Sequence, residues 1–254
     1  MNAKQIEKLV TDYELSLLSF DIFDTLLTRP CAKPTDVFVQ MASAFPEIPK
    51  SFPQDRIQAE RQARRMVTGG ECNISEIYKV LEAVNGYSPR LCKRLRLMEE
   101  ETELRICRAR PKGAELLEAA ASLDMRVILI SDMYLSKRHI GRMLCKCGIT
   151  NFSELYVSCE TRCSKSNGDM FQYVRKQEQL PFSRMLHIGD NPISDVIVPQ
   201  NLGMHALFLP LREDAVLPAQ TGISRILPHG TRRRKLVSEL ARMVRKLETG
   251  TANV

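Results

Sequence analysis

No uninterrupted apolar run in the sequence approaches the ~20 residues that a bilayer span requires. The opening MNAKQIEKLVTDYELS has no continuous apolar stretch of the signal-peptide kind, so a cytoplasmic protein is expected. The eight cysteines (Cys31, Cys72, Cys92, Cys107, Cys145, Cys147, Cys159 and Cys163) include no CxxC pair, and only four histidines are available to complete a zinc site. Unpaired thiols in a reducing compartment are the expectation. Internal repeats and low-complexity segments are also missing. With 254 residues, 44% hydrophobic and 26% charged, the chain is long and apolar enough to bury a sizeable core, which excludes disorder over most of its length. One large domain, or a core domain with a smaller companion, is expected.

The net charge of +7 is concentrated at one end. From Thr231 onward, seven cations face only Glu239 and Glu248, which leaves the body nearly neutral. That distribution argues against a nucleic-acid partner. Residues 231–247 are predicted to form a basic amphipathic helix with Leu236, Leu240, Val244 and Leu247 on one side. Its apolar face suits the protein's own core, and its charge suits an acidic partner or an anionic membrane surface.

Five apolar runs have the look of buried strands: 15–20, 126–132, 154–158, 185–190 and 205–209. Helical patterns at 112–123, 136–147, 168–178 and about 192–202 alternate with them. The alternation predicts an α/β fold, a mostly parallel five-stranded sheet covered on both faces. Ligands of such sheets bind beyond the carboxyl ends of the strands, and the first, second and fourth runs lead into Asp21, Asp132 and Asp190. Residues 30–109 differ in texture, with helical candidates at 35–45, 54–68, 74–85 and 89–108 and no convincing strand. They read as an inserted helical cap, with Pro30, Pro34 and Pro111 as hinges. The expected division is a core of 1–29 and 110–212, a cap of 30–109 and a tail of 213–254. Arg56, Arg61, Arg64 and Arg65 make the cap rich in cations, as do the clusters around Arg94 and Arg105. Solvated helix faces paired with Glu60 and Glu99 to Glu101 account for most of them, and one or two could meet an anionic substrate.

Four separated elements converge at the strand tips of such a sheet: Asp21 and Asp24 in FDIFDTLL, Ser131 and Asp132 in ISDMYLS, Lys165 in CSKSNGD, and Asp190 and Asp195 in HIGDNPISD. Gathered carboxylates repel one another and take up protons unless a cation sits among them, so the cluster implies a hard divalent ion, most simply Mg²⁺. A carboxylate beside such an ion can attack phosphorus while a lysine and hydroxyls hold the transferring oxygens. His187 reads as core-facing or as backing a site residue, Met133 and Tyr134 as closing the site wall, and Cys159 and Cys163 as passive.

In order and content these elements resemble the haloacid dehalogenase superfamily over residues 15–209. The resemblance implies a Rossmann-like core, a helical cap inserted after the first motif, and phosphoryl transfer through an aspartyl-phosphate on a small phosphorylated substrate. Asp21 then matches the nucleophile, and Thr25 and Ser131 match phosphate-contacting hydroxyls, with Asp132 among the substrate-facing residues. Lys165 matches the lysine that orients nucleophile and phosphate. Asp190 matches the metal ligand of the fourth motif with Asp195 as companion, and the Phe23 carbonyl would also reach the Mg²⁺. The wording FDIFDTLLTRP and SDMYLS is similar to the group found beside or fused to bacterial glycosyltransferases.

One departure bears on the chemistry. Phosphatases of this superfamily carry a second aspartate two residues after the nucleophile as general acid and base, and here that residue is Phe23. Asp24 follows it. In an extended chain Asp24 points away from the leaving group, whereas a turn past the strand end could re-aim it, so an acid/base role and a structural role both stand. The missing acid also keeps open a dehalogenase-type hydrolase, and a catalytically weak binding module in a glycosyltransferase or polysaccharide context.

Overall fold

A computed structural model describes residues 3–67, 71–123 and 125–211. The basic segment expected at 231–247 lies outside the described residues, as does the whole tail from 213 onward. Among the described residues, helix α1 (Ala3–Asp12) comes first and seven strands follow: β1 (Leu17–Phe20), β2 (Leu27–Thr28), β3 (Arg108–Ala109), β4 (Arg126–Ser131), β5 (Glu154–Val157), β6 (Met185–Gly189) and β7 (His205–Phe208). Five of them form one sheet of order β5-β4-β1-β6-β7, parallel throughout.

The sheet follows from two-residue alternation in short apolar runs. Leu17, Ile128, Ile130 and Met185 point to one face, where they pack with Met170, Phe171 and Val174. Those three belong to helix α9 (Asp169–Glu178). Leu18, Phe20, Val127, Leu129, Leu186 and Ile188 point to the other face. They meet residues of α6 (Pro111–Ala121) and α7 (Lys137–Lys146), including Leu116, Leu117, Ile140 and Leu144. With both faces covered, the strands have no polar side to show, which is why they read as continuous apolar runs. The predicted helix at about 192–202 is a π-helical turn, Pro192–Ile197, followed by the short α10 (Val198–Asn201).

Between β2 and β3, the described residues form four helices: α2 (Asp36–Ala44), α3 (Phe52–Met66), α4 (Ile74–Asn85) and α5 (Pro89–Ile106). This is the helical cap. Its two ends are drawn together by the antiparallel pair β2–β3, with Leu27 opposite Ala109 and Thr28 opposite Arg108. No strand was expected between 30 and 110, because two residues are too few to show alternation. Arg56 also departs from the solvated face assigned to the cap cations, being 0% exposed. Its guanidinium makes a bidentate pair with Glu99 at 2.7 and 2.8 Å, and Tyr78 donates to the same carboxylate at 2.8 Å. The Phe38 and Tyr134 rings lie 4.7 Å from it. Burying a charge pair is tolerable only with such complete satisfaction. Among the described residues no helix is long and apolar enough to cross a membrane.

Helix α6 packs directly on the turn after β1. A Cβ at Gly113 would sit 1.9 Å from the carbonyl oxygen of Thr25, so this approach admits only glycine. Gly113→Ala should therefore lower the unfolding free energy in urea by about 1–3 kcal/mol through overpacking. Wild-type stability in that variant would contradict the close approach.

Candidate active site

Strand order places the site. The chain runs outward from β1 through β4 to β5, then returns to β6 on the other side of β1, so the switch in direction falls between β1 and β6. Asp21 follows β1 and extends its ladder, its N–H donating to Ile188 at 2.9 Å. Asp190 follows β6. The third acid, Asp195, is aimed back by the turn after Asn191, whose side chain accepts from the N–H groups of Ile193 and Ser194. The Asn191 N–H donates to Asp195 at 2.9 Å. Gly189 makes room, since a Cβ there would lie 2.3 Å from the Asp195 carboxylate. Oxygens of Asp21, Asp190 and Asp195 come within 4.8 Å of one another.

Lys165 enters this group from the loop after β5. Its Nζ donates to Asp21 and to Asp195, each at 2.6 Å. Burial disfavours the ammonium, but the two carboxylates outweigh it and raise its pKa well above the ordinary lysine value. Asp195 shows the converse: burial opposes ionisation, yet Lys165 and the His187 ring hold its carboxyl well below the usual range. Asp21 goes the other way, pushed well up by burial against the pull of Lys165, with Asp195 and Asp190 adding to the rise. Burial, then the charges of Asp195 and Asp24, pushes Asp190 up to about 6. One lysine thus faces three carboxylates, and the excess negative charge fits a cation with hard oxygen ligands such as Mg²⁺.

The other sequence-assigned residues surround this centre. Thr25 donates to Asp190 at 3.2 Å, and Ser131 ends β4 with no side-chain hydrogen bond to a described residue. Asp132, grouped above with the substrate-facing residues, gives its oxygens to the loop carrying the lysine: the Lys165 N–H donates to both, at 3.0 and 2.9 Å, and the Ser164 hydroxyl to one at 2.9 Å. His187 is fully buried behind Asp195, at 3.3 Å from it, with Ser19 at 2.8 Å on its other nitrogen. Met133 and Tyr134 are buried beside the site.

Phe23 and Asp24 lie in a tight turn. Leu26 and Leu27 both donate to the Ile22 carbonyl at 2.8 Å, and Asp24 donates to Leu27 at 2.6 Å. The Phe23 ring lies under the Arg29 guanidinium, 4.3 Å from its centroid, and Arg29 is paired with Glu103 at 2.7 Å. Asp24 adopts φ 61°, a left-handed conformation that aspartate tolerates better than most residues. Its carbonyl accepts from Arg110 at 2.8 Å, while its carboxylate has no hydrogen-bond partner among the described residues. Arg110 escaped the sequence reading. It is buried, and its guanidinium also donates to the carbonyls of Leu209 and Pro210, fastening the first turn to the end of β7.

Comparisons with known proteins place the chain in a family and show its fold. The family described as haloacid dehalogenase-like hydrolase matches residues 15–203, and the chain belongs to it. A 2-haloacid dehalogenase from Pseudomonas syringae pv. Tomato DC3000 has a similar structure, with a TM-score of 0.58 at 20% identity over 90% of this chain and 99% of that one. A haloacid dehalogenase family enzyme from Bacteroides thetaiotaomicron, solved as a mutant with magnesium and inorganic phosphate, gives 0.55 at 15% identity over 79% and 97%. At these identities the likeness shows the fold. No curated protein matches the chain.

The turn allows a separation of backbone from carboxylate at Asp24. Asp24→Gly should keep the urea stability of the wild type to within about 0.5 kcal/mol, whereas Asp24→Ala should lose about 1–2 kcal/mol to left-handed strain. Equal stabilities for the two variants would contradict the conformation.

Proposed function

We propose that this protein is a Mg²⁺-dependent phosphohydrolase that forms an aspartyl-phosphate on Asp21 from a small phosphorylated metabolite. The observation carrying this reading is the set of three carboxylates at the switch point, two of them, Asp21 and Asp195, bridged by one buried lysine, since phosphoryl transfer needs both a cation site and a nucleophile held in line. Asp21, Asp190 and Asp195 would hold the ion, with the Phe23 carbonyl as a further oxygen donor. When bound, Mg²⁺ supplies positive charge against the carboxylates and the phosphoryl oxygens.

Asp21 attacks phosphorus with one carboxylate oxygen, and the bond to the leaving oxygen breaks. Lys165 restrains Asp21 in place and neutralises part of the negative charge that gathers there. The Ser131 and Thr25 hydroxyls donate to the non-bridging oxygens. Water then attacks phosphorus, which frees phosphate and regenerates Asp21. Asp24 is the acid next in sequence to the missing second aspartate, and its carboxylate, without a hydrogen-bond partner among the described residues, suits proton transfer to the leaving oxygen.

Phe23 also favours a second reading, dehalogenation, in which Asp21 displaces halide from carbon and no proton donor is required. The pairing of Asp190 with Asp195 weighs against it, because that reaction uses no cation site.

Hydrolysis of p-nitrophenyl phosphate should require Mg²⁺, stop in excess chelator and return on adding the metal. Asp21→Asn should lower kcat by about 10⁴ or more, as loss of a covalent nucleophile does. With Asp24 as the proton donor, Asp24→Asn should slow alkyl phosphates by about 10²–10⁴ and aryl phosphates far less, because only the former depend on a donated proton. Full activity in chelator, or in Asp21→Asn, would overturn the proposal.

A further inference from the structure

The loop between β5 and α9 carries Lys165, and three residues before it stands Arg162, at the end of the short helix α8 (Ser158–Thr161) with φ 57°. Its guanidinium reaches the cap. Nη1 and Nη2 each donate to the Glu76 carboxylate at 2.8 Å, and Nη1 also donates to the Glu71 carbonyl at 2.5 Å. Glu76 is fixed in turn, since it accepts from the Asn73 N–H at 2.8 Å in the capping box that begins α4.

The same stretch of cap touches the core twice more. The Ser158 hydroxyl donates to Glu71 at 2.7 Å and accepts from the Met133 N–H at 2.9 Å. Ile74 donates to the Tyr134 carbonyl at 2.9 Å. Residues 71–76 are therefore bonded to both loops that set the site, the one after β4 bearing Asp132 and the one after β5 bearing Lys165. Those loops are themselves joined by the Lys165 N–H on Asp132.

We propose that Arg162 is a positioning residue for Lys165, fastening the lysine loop to the first turn of α4 so that the site is in register only when the cap is seated. This inference rests on the phosphohydrolase reading for its kinetic consequence but not for the contact itself. A planar fork bonded to a carboxylate and a carbonyl at once fixes direction as well as distance, which a single lysine charge would not. In catalysis a displacement of about 1 Å can cost 10²-fold, so a loop held at one end by a cap residue matters beyond the modest energy of a half-exposed ion pair.

The test uses the full chain with Arg162→Gln, Glu76→Gln and the double variant. Glutamine leaves the left-handed backbone at 162 no more strained, and at 76 it keeps an oxygen for the Asn73 N–H. Hydrogen exchange should accelerate about tenfold at 132–134 and 163–166 in each single variant, with no further change in the double variant and none in β1. On p-nitrophenyl phosphate, kcat should fall roughly 10- to 100-fold with KM unchanged, and Arg162→Lys should recover only part of it. Unchanged loop exchange, or a double variant showing the product of the two single effects, would overturn the proposal. Accelerated exchange in a protein that hydrolyses no phosphate ester would sustain the contact and refute the phosphohydrolase reading.

Discussion

The buried ammonium of Lys165 between Asp21 and Asp195 is the interaction on which the rest of the site depends. Either carboxylate buried alone would be driven to take up a proton, and the lysine buried alone would be driven to lose one. Together Lys165 and Asp195 hold each other charged, while burial still pushes the Asp21 carboxyl up. The surrounding structure then serves to bring three distant pieces of chain to one point. Asp21 arrives on β1, Asp195 on the turn after β6, and Lys165 on the loop after β5, which lies two strands away from β1 in the sheet. Asp132 spans part of that gap by gripping the Lys165 backbone.

Negative charge still exceeds positive at the centre, and the proposed chemistry draws on this surplus. Asp190 carries much of it, with its carboxyl pushed up to about 6 by burial and by Asp195 and Asp24. A site made only to be stable would have matched its charges, as the cap does where Arg56 and Arg64 pair with Glu99 and Glu60 and Tyr78 donates to Glu99. The contrast between that balanced cluster and the unbalanced one at the strand tips separates a structural ion pair from the site proposed to take a cation and a phosphoryl group.

The sheet and the acids at its tips were legible in the sequence because each strand is a short apolar run broken by a polar or acidic residue. Four of the five runs were read one residue too long. Asp132, Ser158, Asp190 and Leu209 lie just past the ends of β4, β5, β6 and β7. The cap helices were legible from their period. What stayed hidden were the polar contacts outside the strand-tip cluster: Arg110 on the carbonyls of Asp24 and Leu209, Arg162 on Glu76, and the burial of Arg56. A basic residue on a solvated face and one reaching across the fold have the same spacing in sequence. The left-handed turn at Asp24 was open for a related reason, since its direction is set by hydrogen bonds to Leu27 and Arg110 that close only in the folded chain.

The central claim is that Asp21 is phosphorylated and that water attacks phosphorus. It is tested most directly by turnover in H₂¹⁸O, with mass analysis of both the released phosphate and the peptide containing Asp21. Attack at phosphorus places the heavy oxygen in phosphate and leaves the Asp21 carboxylate unlabelled, which is the result predicted. Label in Asp21 would mean that water attacks the carbon of an ester, as in displacement from carbon, and would contradict the account.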